Sequence, residues 1–244
     1  MARIRINKYL SLSGVTSRRG ADALIAEGRV TVNDITVEKV GIIIDEESDV
    51  VKVDGTEASP VDTKIYVVLN KTRGVMTTLH DPFHRRTIKH LLKDLDERVY
   101  PVGRLDFDTA GVLVLTNDGD LAYRLAHPSY QVAKIYEARV LGRMGEDSKM
   151  KIEKGIKLDD GAIGKAQVSI LGHDRKESRI RLILTEGRKR EVKQLCKKVG
   201  HPVRSLTRVE FGGITTRGIK PGQWRHLTLG EIASLKNLVD LNNK

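Results

Sequence analysis

The chain has 244 residues, which is enough for one large domain or for two unequal ones, and its apolar fraction of 39% is enough to build a hydrophobic core. Apolar runs such as YVVL and VLVL are far shorter than the roughly 20 residues of a membrane helix, and no signal peptide is recognisable. The single cysteine, Cys196, excludes an internal disulfide, so we expect a soluble cytoplasmic protein.

The formal net charge of +11 is distributed unevenly along the chain. Residues 1–60 carry a net charge of −2, whereas residues 171–228 contain 15 Lys/Arg against 5 Asp/Glu, a net of +10. Within the first part, residues 1–29 carry +4, so the positive charge lies in two segments. Charge concentrated in this way is typical of a surface that binds phosphate groups. No basic amphipathic helix with a bulky apolar face is evident, so the pattern favours a nucleic acid over a membrane surface.

Two helices and a hairpin are predicted near the start of the chain. Each helix is indicated by apolar residues at helical spacing: Ile6, Tyr9 and Leu10, then Ala21, Leu24 and Ile25. Ser17 is the predicted N-cap of the second helix, and Gly14 and Gly28 end the two helices. The alternating run RVTVNDITV, with Asn33-Asp34 at its centre, predicts a hairpin.

This arrangement, in NKYLSLSGVTSRRGADALIAEGRVTVND, resembles the S4 RNA-binding module and predicts a first domain over residues 1–60. The resemblance implies that the module binds structured RNA, with Arg18, Arg19 and Arg29 as its contacts. Gly20 departs from the pattern, because the family often has a Glu there that completes a capping box.

The polar segment EASPVDTK (57–64) is interpreted as a linker, and strands and helices follow it without regular alternation. Strands are indicated by four alternating or apolar runs: IYVVLNKTRGV, VLVLT, KIYEARVLG and RIRLILTEG. Helices are indicated in RRTIKHLLKDL, by Ile88, Leu91, Leu92 and Leu95, and in REVKQLCKKVG, by Val192, Leu195, Cys196 and Val199. The irregular order predicts an α+β domain over residues 64–240, with flanking helices on a mixed, largely antiparallel sheet.

An acidic segment, GRLDFDTAGVLVLTNDG (103–119), stands out in a basic chain. Its D-x-D start fits a calcium loop, but Asn117 occupies the twelfth position, where that loop needs a bidentate Glu, so calcium is excluded. A magnesium site from Asp106, Asp108 and Asp118, or a plain acidic turn, remains compatible with the spacing.

The same segment resembles the signature of the pseudouridine synthases, in the branch that modifies ribosomal RNA and carries an S4 module. Three further segments match that family in order and spacing: LNKTRGVMTT, KIYEARV and LTEGRKREVKQLCKKVGHPVRSLTRVEFGG. Thr72 is a departure, because proline is common at its position. Together the four segments cover most of the chain from residue 64 to about 213.

The resemblance assigns a role to individual residues. It implies that Asp106 is the catalytic aspartate, that Lys193 is the cation opposing its charge, and that Tyr136 packs against the target base. Arg104 would occupy the space that the uridine leaves when it flips out of its helix. The basic C-terminal block would contact RNA, with Arg188, Arg190 and Arg208 among its contacts.

The implied reaction explains these residue types. Uridine becomes pseudouridine when the bond from C1′ to N1 breaks and a bond from C1′ to C5 forms, with no change of oxidation state and no gain or loss of atoms. We therefore expect neither a cofactor nor a metal. The carboxylate could attack C1′ as a nucleophile or remove the proton at C2′, and the sequence does not distinguish these routes.

Other functions are less consistent with the residues. His80, His84 and His90 lack the spacing of a metal site, which argues against a histidine-based nuclease, and Cys196 lies on an apolar helix face as a core thiol. Large-subunit ribosomal RNA is the favoured substrate, small-subunit RNA is the alternative, and a non-catalytic assembly factor is a third reading. We expect a monomer without a nucleotide cofactor.

Overall fold

The computed structural model describes residues 3–61 and 63–241, which fall into two units, Met1–Lys64 and Ile65–Lys244. No helix within the described ranges is long and apolar enough to span a membrane. The predicted domain limits of 1–60 and 64–240 remain a prediction, although backbone hydrogen bonds from Ala58 to Val51 and from Val61 to Leu12 join both residues to the first unit.

Helix and strand signals in the first unit are confirmed. Its elements are β1 (Arg3–Arg5), α1 (Ile6–Leu12), α2 (Arg18–Ala26), β2 (Val30–Val32), β3 (Ile35–Thr36), β4 (Ile43–Asp45), β5 (Val51–Val53) and β6 (Thr56–Glu57). The strands form a β1–β4 pair and a sheet in the order β3-β2-β5-β6. Ser17 caps α2 by accepting a hydrogen bond from the Gly20 amide at 3.0 Å. Asn33 and Asp34 both have positive φ, as a two-residue hairpin turn requires.

The second unit is built on one large sheet. Its strands are β7 (Tyr66–Lys71), β8 (Tyr100–Pro101), β9 (Thr109–Thr116), β10 (Lys134–Leu141), β11 (Ile156–Lys157), β12 (Ile163–Gly164), β13 (Gln167–His173), β14 (Glu177–Leu184), β15 (Val203–Phe211), β16 (Ile214–Thr215) and β17 (Trp224–His226). Apart from the β11–β12 pair, the strands within residues 65–241 form a sheet in the order β13-β14-β10-β15-β9-β7-β17, with β8 and β16 paired to β9 and β15. Every neighbouring pair is antiparallel except β9–β15, so the predicted mixed, largely antiparallel sheet is confirmed.

Helices cover the sheet and bury its apolar side chains. They are α3 (Gly119–Ala126), α4 (Glu146–Lys154), α5 (Glu191–Lys198) and α6 (Leu229–Leu238). Leu195 of α5 packs on the β10–β14 region, and Leu121 of α3 packs with Val112 and Val114 of β9. β9 is buried on both faces, because its Leu113 belongs to another cluster on the opposite side, as its apolar run predicts.

The predicted helix in RRTIKHLLKDL (85–95) is wrong. The segment forms only a 3-10 turn, Ile88–Leu91, and bonds of the i→i+3 type continue to Leu95. Its start is held by Met76, whose carbonyl accepts the Ile88 amide at 3.0 Å. Apolar residues spaced by three or four can face the core from either helix type, so the spacing alone could not separate the two.

Gly111 allows the parallel strands β9 and β15 to approach each other closely. It has φ of +107°, and a Cβ atom placed on it would lie 2.1 Å from the carbonyl oxygen of Arg208. Arg208 is its register partner on β15, so the obstacle is backbone that cannot rotate away. Only glycine fits at this position.

We expect Gly111→Ala to lower the free energy of unfolding by about 3 kcal/mol, because overpacking against the Arg208 backbone adds to an unfavourable φ. Gly230→Ala is the matched control. Gly230 lies in α6 with ordinary φ and open space around its Cβ, so alanine should stabilise the helix slightly. Urea unfolding of both variants measures the difference, and a Gly111→Ala protein as stable as the wild type would contradict the packing account.

Candidate active site

Asp106 lies on the loop between β8 and β9, and the segment after β7 holds this loop in place. The Gly74 amide donates to the Phe107 carbonyl at 2.8 Å. The Thr77 hydroxyl donates to the Leu105 carbonyl at 2.6 Å. The backbone on both sides of Asp106 is therefore fixed by hydrogen bonds from a different part of the chain.

Lys71, at the end of β7, is fully buried beneath the same loop. Its ammonium donates to the carbonyls of Thr72, Asp106 and Thr109 at 3.1, 3.2 and 2.9 Å. Burial lowers the pKa of Lys71 to about 8, and the charges of Asp106 and Asp108 oppose this shift. All three N–H donors thus have acceptors, and two of those acceptors belong to the loop that carries Asp106.

The Asp106 carboxylate is paired with Lys193. Lys193 Nζ lies 2.9 Å from Asp106 Oδ2 and 2.5 Å from Asp108 Oδ1, so one ammonium contacts two carboxylates. Asp108 is the more exposed partner, with 69% of its side chain accessible against 33% for Asp106. Burial raises the pKa of Asp108, but the hydrogen bond and charge of Lys193 outweigh it and lower the pKa overall.

Helix α5 presents Lys193 to this pair. The predicted apolar stripe is confirmed, because Val192, Leu195 and Cys196 are buried against the sheet while Lys193 lies outside the stripe. The side chain of Glu191 accepts a hydrogen bond from the Arg188 amide at 3.0 Å and fixes the turn before the helix. Burial raises the pKa of the Cys196 thiol to about 12, as suits a core residue rather than a nucleophile.

Tyr136 shares a cavity of about 120 Å³ with Asp106, Lys193 and Arg104. Tyr136 lies on β10, where the register with β15 shifts by one residue between Ile135 and Tyr136. Bulges of this kind are frequent beside active sites because they redirect a side chain. The cavity therefore brings together the four residues to which the sequence assigns direct roles in the reaction.

The predicted RNA-binding arginines of this unit differ in their surroundings. Arg104 is exposed and makes no hydrogen bond within the described part of the chain. Arg188 and Arg190 line a wider groove of about 890 Å³ that also reaches Asp106, and Arg188 is ion-paired with Glu186 at 2.7 Å. An open, cationic groove at the entrance of a small cavity suits a polyanion that inserts one residue.

Arg208 is buried, whereas the sequence predicts that it contacts RNA at the surface. It is only 2% exposed and lies at the edge of the small cavity, where Arg208 Nε donates to the Val112 carbonyl at 2.9 Å. A guanidinium buried to this degree cannot meet a phosphate on the protein surface. Any contact that it makes with RNA would be with a group inside the cavity.

The three predicted RNA contacts of the first unit also differ. Arg29 is ion-paired with Asp54 at 2.6 Å and with Glu27 at 3.1 Å. Arg18 donates to Asn7 at 3.4 Å, whereas Arg19 is exposed and has no partner among the described residues. These three contacts remain predictions.

Asp118 does not belong to the site. It is the N-cap of α3, where Oδ1 accepts a hydrogen bond from the Leu121 amide at 3.1 Å and Oδ2 accepts one from the Tyr66 hydroxyl at 2.8 Å. Its role is structural, so the three aspartates of the acidic segment do not form one cluster. Across residues 3–61 and 63–241, no group of three or more His, Cys, Asp and Glu side chains could hold a metal ion.

Sequence reasoning missed the residues that hold the loop, above all Lys71 and Thr77. A signal for Lys71 is present in YVVLNK, where a lysine stands two positions after the buried apolar run that ends at Leu69. A charged residue at such a place needs buried acceptors, which indicates a structural role rather than a surface one. Thr77 carries no comparable signal.

Comparisons with known proteins agree with the two units. Residues 65–198 match the family model for RNA pseudouridylate synthase, and residues 4–58 match the S4 domain model. The chain is 43% identical over 242 residues to an uncharacterized RNA pseudouridine synthase of Aquifex aeolicus, covering 99% of this chain and 97% of that protein. It is 38% identical over 238 residues to the ribosomal large subunit pseudouridine synthase B of Bacillus subtilis, covering 97% of each.

A solved structure described as a pseudouridylate synthase is similar over nearly its whole length. The TM-score is 0.69 at 26% identity, with 95% of this chain and 99% of that chain covered. A share of 95% is large enough to include parts of both units of the chain.

Proposed function

Because the chain belongs to the RNA pseudouridine synthase family and carries an S4 domain, we propose that it isomerises a uridine of large-subunit ribosomal RNA and that Asp106 is the catalytic residue. The observation that carries this proposal is the Lys193–Asp106 pair at a small cavity lined by Tyr136. The choice of the large subunit is supported by the name of the Bacillus subtilis relative.

Asp106 is suited to act on the ribose carbon that carries the base. One carboxylate oxygen accepts a hydrogen bond from Lys193, and the second oxygen is left to approach C1′ or the proton at C2′. Hydrogen bonds from Lys71 and Thr77 hold the backbone carbonyls of Asp106 and Leu105 while the sugar is bound. The loop therefore needs little rearrangement during the reaction. Either route releases the base for rotation in the cavity.

Tyr136 is assigned to the base rather than to the sugar. Its ring offers a flat apolar surface that suits contact with the planar base. Packed against the uracil, it would keep the free base in place while C5 turns towards C1′. Relay of the C5 proton is its second role.

The exposed cations account for binding of the RNA backbone. Arg104, Arg188 and Arg190 line the groove at the cavity, and Arg104 has no protein partner in the described chain that would compete with RNA. We assign Arg104 to the gap in the stack that base flipping leaves. The S4 domain, with Arg19 among its exposed cations, would bind a part of the RNA other than the reacting nucleotide.

The experiment is incubation of purified protein with separate transcripts of large- and small-subunit ribosomal RNA, followed by mapping of pseudouridine. The proposal predicts one modified position in the large-subunit RNA and none in the small-subunit RNA. Modification of the small-subunit RNA alone would contradict the assigned substrate. Tight binding without any modification would favour a non-catalytic assembly factor.

A further inference from the structure

Two buried cations lie at the active-site cavity and have no part in the mechanism above. Lys134 is 7% exposed and Arg208 is 2% exposed. Both line the cavity of about 120 Å³ that contains Asp106 and Tyr136. Charged side chains are rarely buried without a carboxylate partner, so their surroundings bear on function.

The strand register brings the two cations together on one face of the sheet. Lys134 and Tyr136 are two residues apart on β10 and share a face. Across the ladder Tyr136 faces Arg208, while Lys134 faces Phe211. The Lys134 ammonium and the Arg208 guanidinium lie 5.7 and 4.9 Å from the centre of the Phe211 ring. The cations therefore lie side by side, next to the tyrosine assigned to the base.

Neither cation forms an ion pair with a carboxylate among the described residues. The Lys134 ammonium donates to the carbonyls of Val132 and Thr185 at 2.8 and 3.0 Å. The third of its three N–H groups has no acceptor among the described residues. Arg208 Nη2 is buried and has no acceptor among the described residues. Burial lowers the pKa of Lys134 to about 8, with a further lowering by the charge of Arg208 and an opposing effect from Glu191 and Glu186.

We propose that Lys134 and Arg208 form an anion subsite that binds the uracil base while it carries negative charge. This inference rests on the proposed function, because it needs a base that leaves its sugar in this cavity. The donors are the remaining N–H group of Lys134 and the unpaired Nη2 of Arg208. The acceptors are the carbonyl oxygens of the base.

The chemistry of the step supplies the anion. When the bond from C1′ to N1 breaks, its electron pair stays on N1 and is delocalised over O2, C5 and O4. C1′ either gains a bond to the Asp106 carboxylate or becomes part of a double bond after loss of the C2′ proton. The same electron pair later forms the bond from C5 to C1′. On the first route the bond from C1′ to Asp106 breaks at this point, and on the second the proton returns to C2′ as the double bond is lost. The C5 proton then leaves and N1 takes up a proton. Fixed cations beside the oxygens stabilise the charge while the base is free.

A backbone phosphate would offer the same negative oxygens, but the position of the subsite favours the base. Lys134 and Arg208 lie deep beside Tyr136, whereas the exposed Arg188 and Arg190 line the open groove. A phosphate contact would mainly affect RNA affinity, and that effect would weaken with salt. Stabilisation of the leaving base would instead change the rate at saturating RNA.

The test compares uridine with 5-fluorouridine at the target position, in single-turnover reactions at saturating RNA. The rate followed is loss of the bond from C1′ to N1, because fluorine replaces the C5 proton and the last step cannot occur on the analogue. Fluorine withdraws electrons and makes the departing base a weaker base that needs less stabilisation. We expect Lys134→Gln to slow loss of this bond by about 100-fold for uridine. For 5-fluorouridine we expect the rate to fall by only about tenfold. Arg208→Lys keeps the charge but loses the unpaired donor. It should also slow the reaction of uridine more than that of 5-fluorouridine, by a smaller ratio than Lys134→Gln.

The ratio of the two rates is measured on one preparation, so the fraction of folded enzyme cancels even if a variant is less stable. Arg139→Gln is the control, since Arg139 is an exposed cation on the opposite face of the same strand, and both of its rates should match the wild type. If Lys134→Gln lowered the rate equally on both substrates, the proposed subsite would be overturned. The same holds if the variant lowered RNA affinity without lowering the rate at saturating RNA. A wild-type protein that converts neither substrate would instead overturn the proposed function.

Discussion

Replacement of Asp106 by Asn should abolish pseudouridine formation, with a fall of at least about 10⁴-fold in the single-turnover rate. The amide keeps the size of the side chain and can still contact Lys193 Nζ, 2.9 Å away in the wild type, but it has neither the charge nor the nucleophilicity of the carboxylate. RNA affinity should persist, because the cations that line the groove are unchanged. The measurement is conversion of labelled target RNA at saturating enzyme, with affinity determined separately.

Asp108→Asn is the matched control for this variant. Asp108 contacts the same ammonium as Asp106 but is more exposed. Its loss should leave the rate within a few-fold of the wild type, because Lys193 then pairs with Asp106 alone. If Asp106→Asn retained measurable turnover while Asp108→Asn was inactive, the two aspartates would have been assigned the wrong roles.

Lys193→Met should lower the rate at saturating RNA by about 10²- to 10³-fold. The variant removes the one ammonium that contacts both carboxylates, which leaves two negative charges close together with no cation between them. The Asp106 side chain would lose its fixed orientation, although its backbone would still be held by Lys71. Single-turnover kinetics with Lys193→Met, compared with the wild type and with Lys193→Arg, measures this effect.

Lys193→Arg keeps the positive charge and should recover part of the lost rate, although the planar guanidinium differs in shape from an ammonium. Thermal unfolding of all three proteins should show that the variants are folded. A Lys193→Met enzyme as fast as the wild type would mean that the ion pair is only structural.

Most of the fold could be predicted from local patterns in the sequence. Alternating residues identify β14, a fully apolar run identifies β9, and an apolar stripe identifies α5, because each pattern reflects burial on particular faces. The segment 85–95 could not be assigned in this way. Its apolar residues do contact the core, but its backbone conformation is decided by a bridge between Thr87 and Met76. Met76 lies outside the segment, so the spacing of the apolar residues carries no sign of this bridge.

Asp106, Tyr136 and Lys193 were predicted because each lies in a segment that resembles a family motif. Their meeting in one cavity depends on strand pairing between β9, β10 and β15, which no single motif contains. Which cations are buried was harder to predict than which residues lie at the site. Lys71 and Arg208 look like surface cations in the sequence. Only the tertiary fold places Lys71 beneath the loop that carries Asp106 and Arg208 at the edge of the small cavity.

The most direct test of the assigned chemistry is a pseudouridine map of ribosomal RNA from a strain that lacks this protein. We expect one large-subunit uridine to be unmodified in that strain, to become pseudouridine when the wild-type protein is restored, and to stay unmodified when Asp106→Asn is expressed at the same level. Restoration by the Asp106→Asn protein would contradict the account.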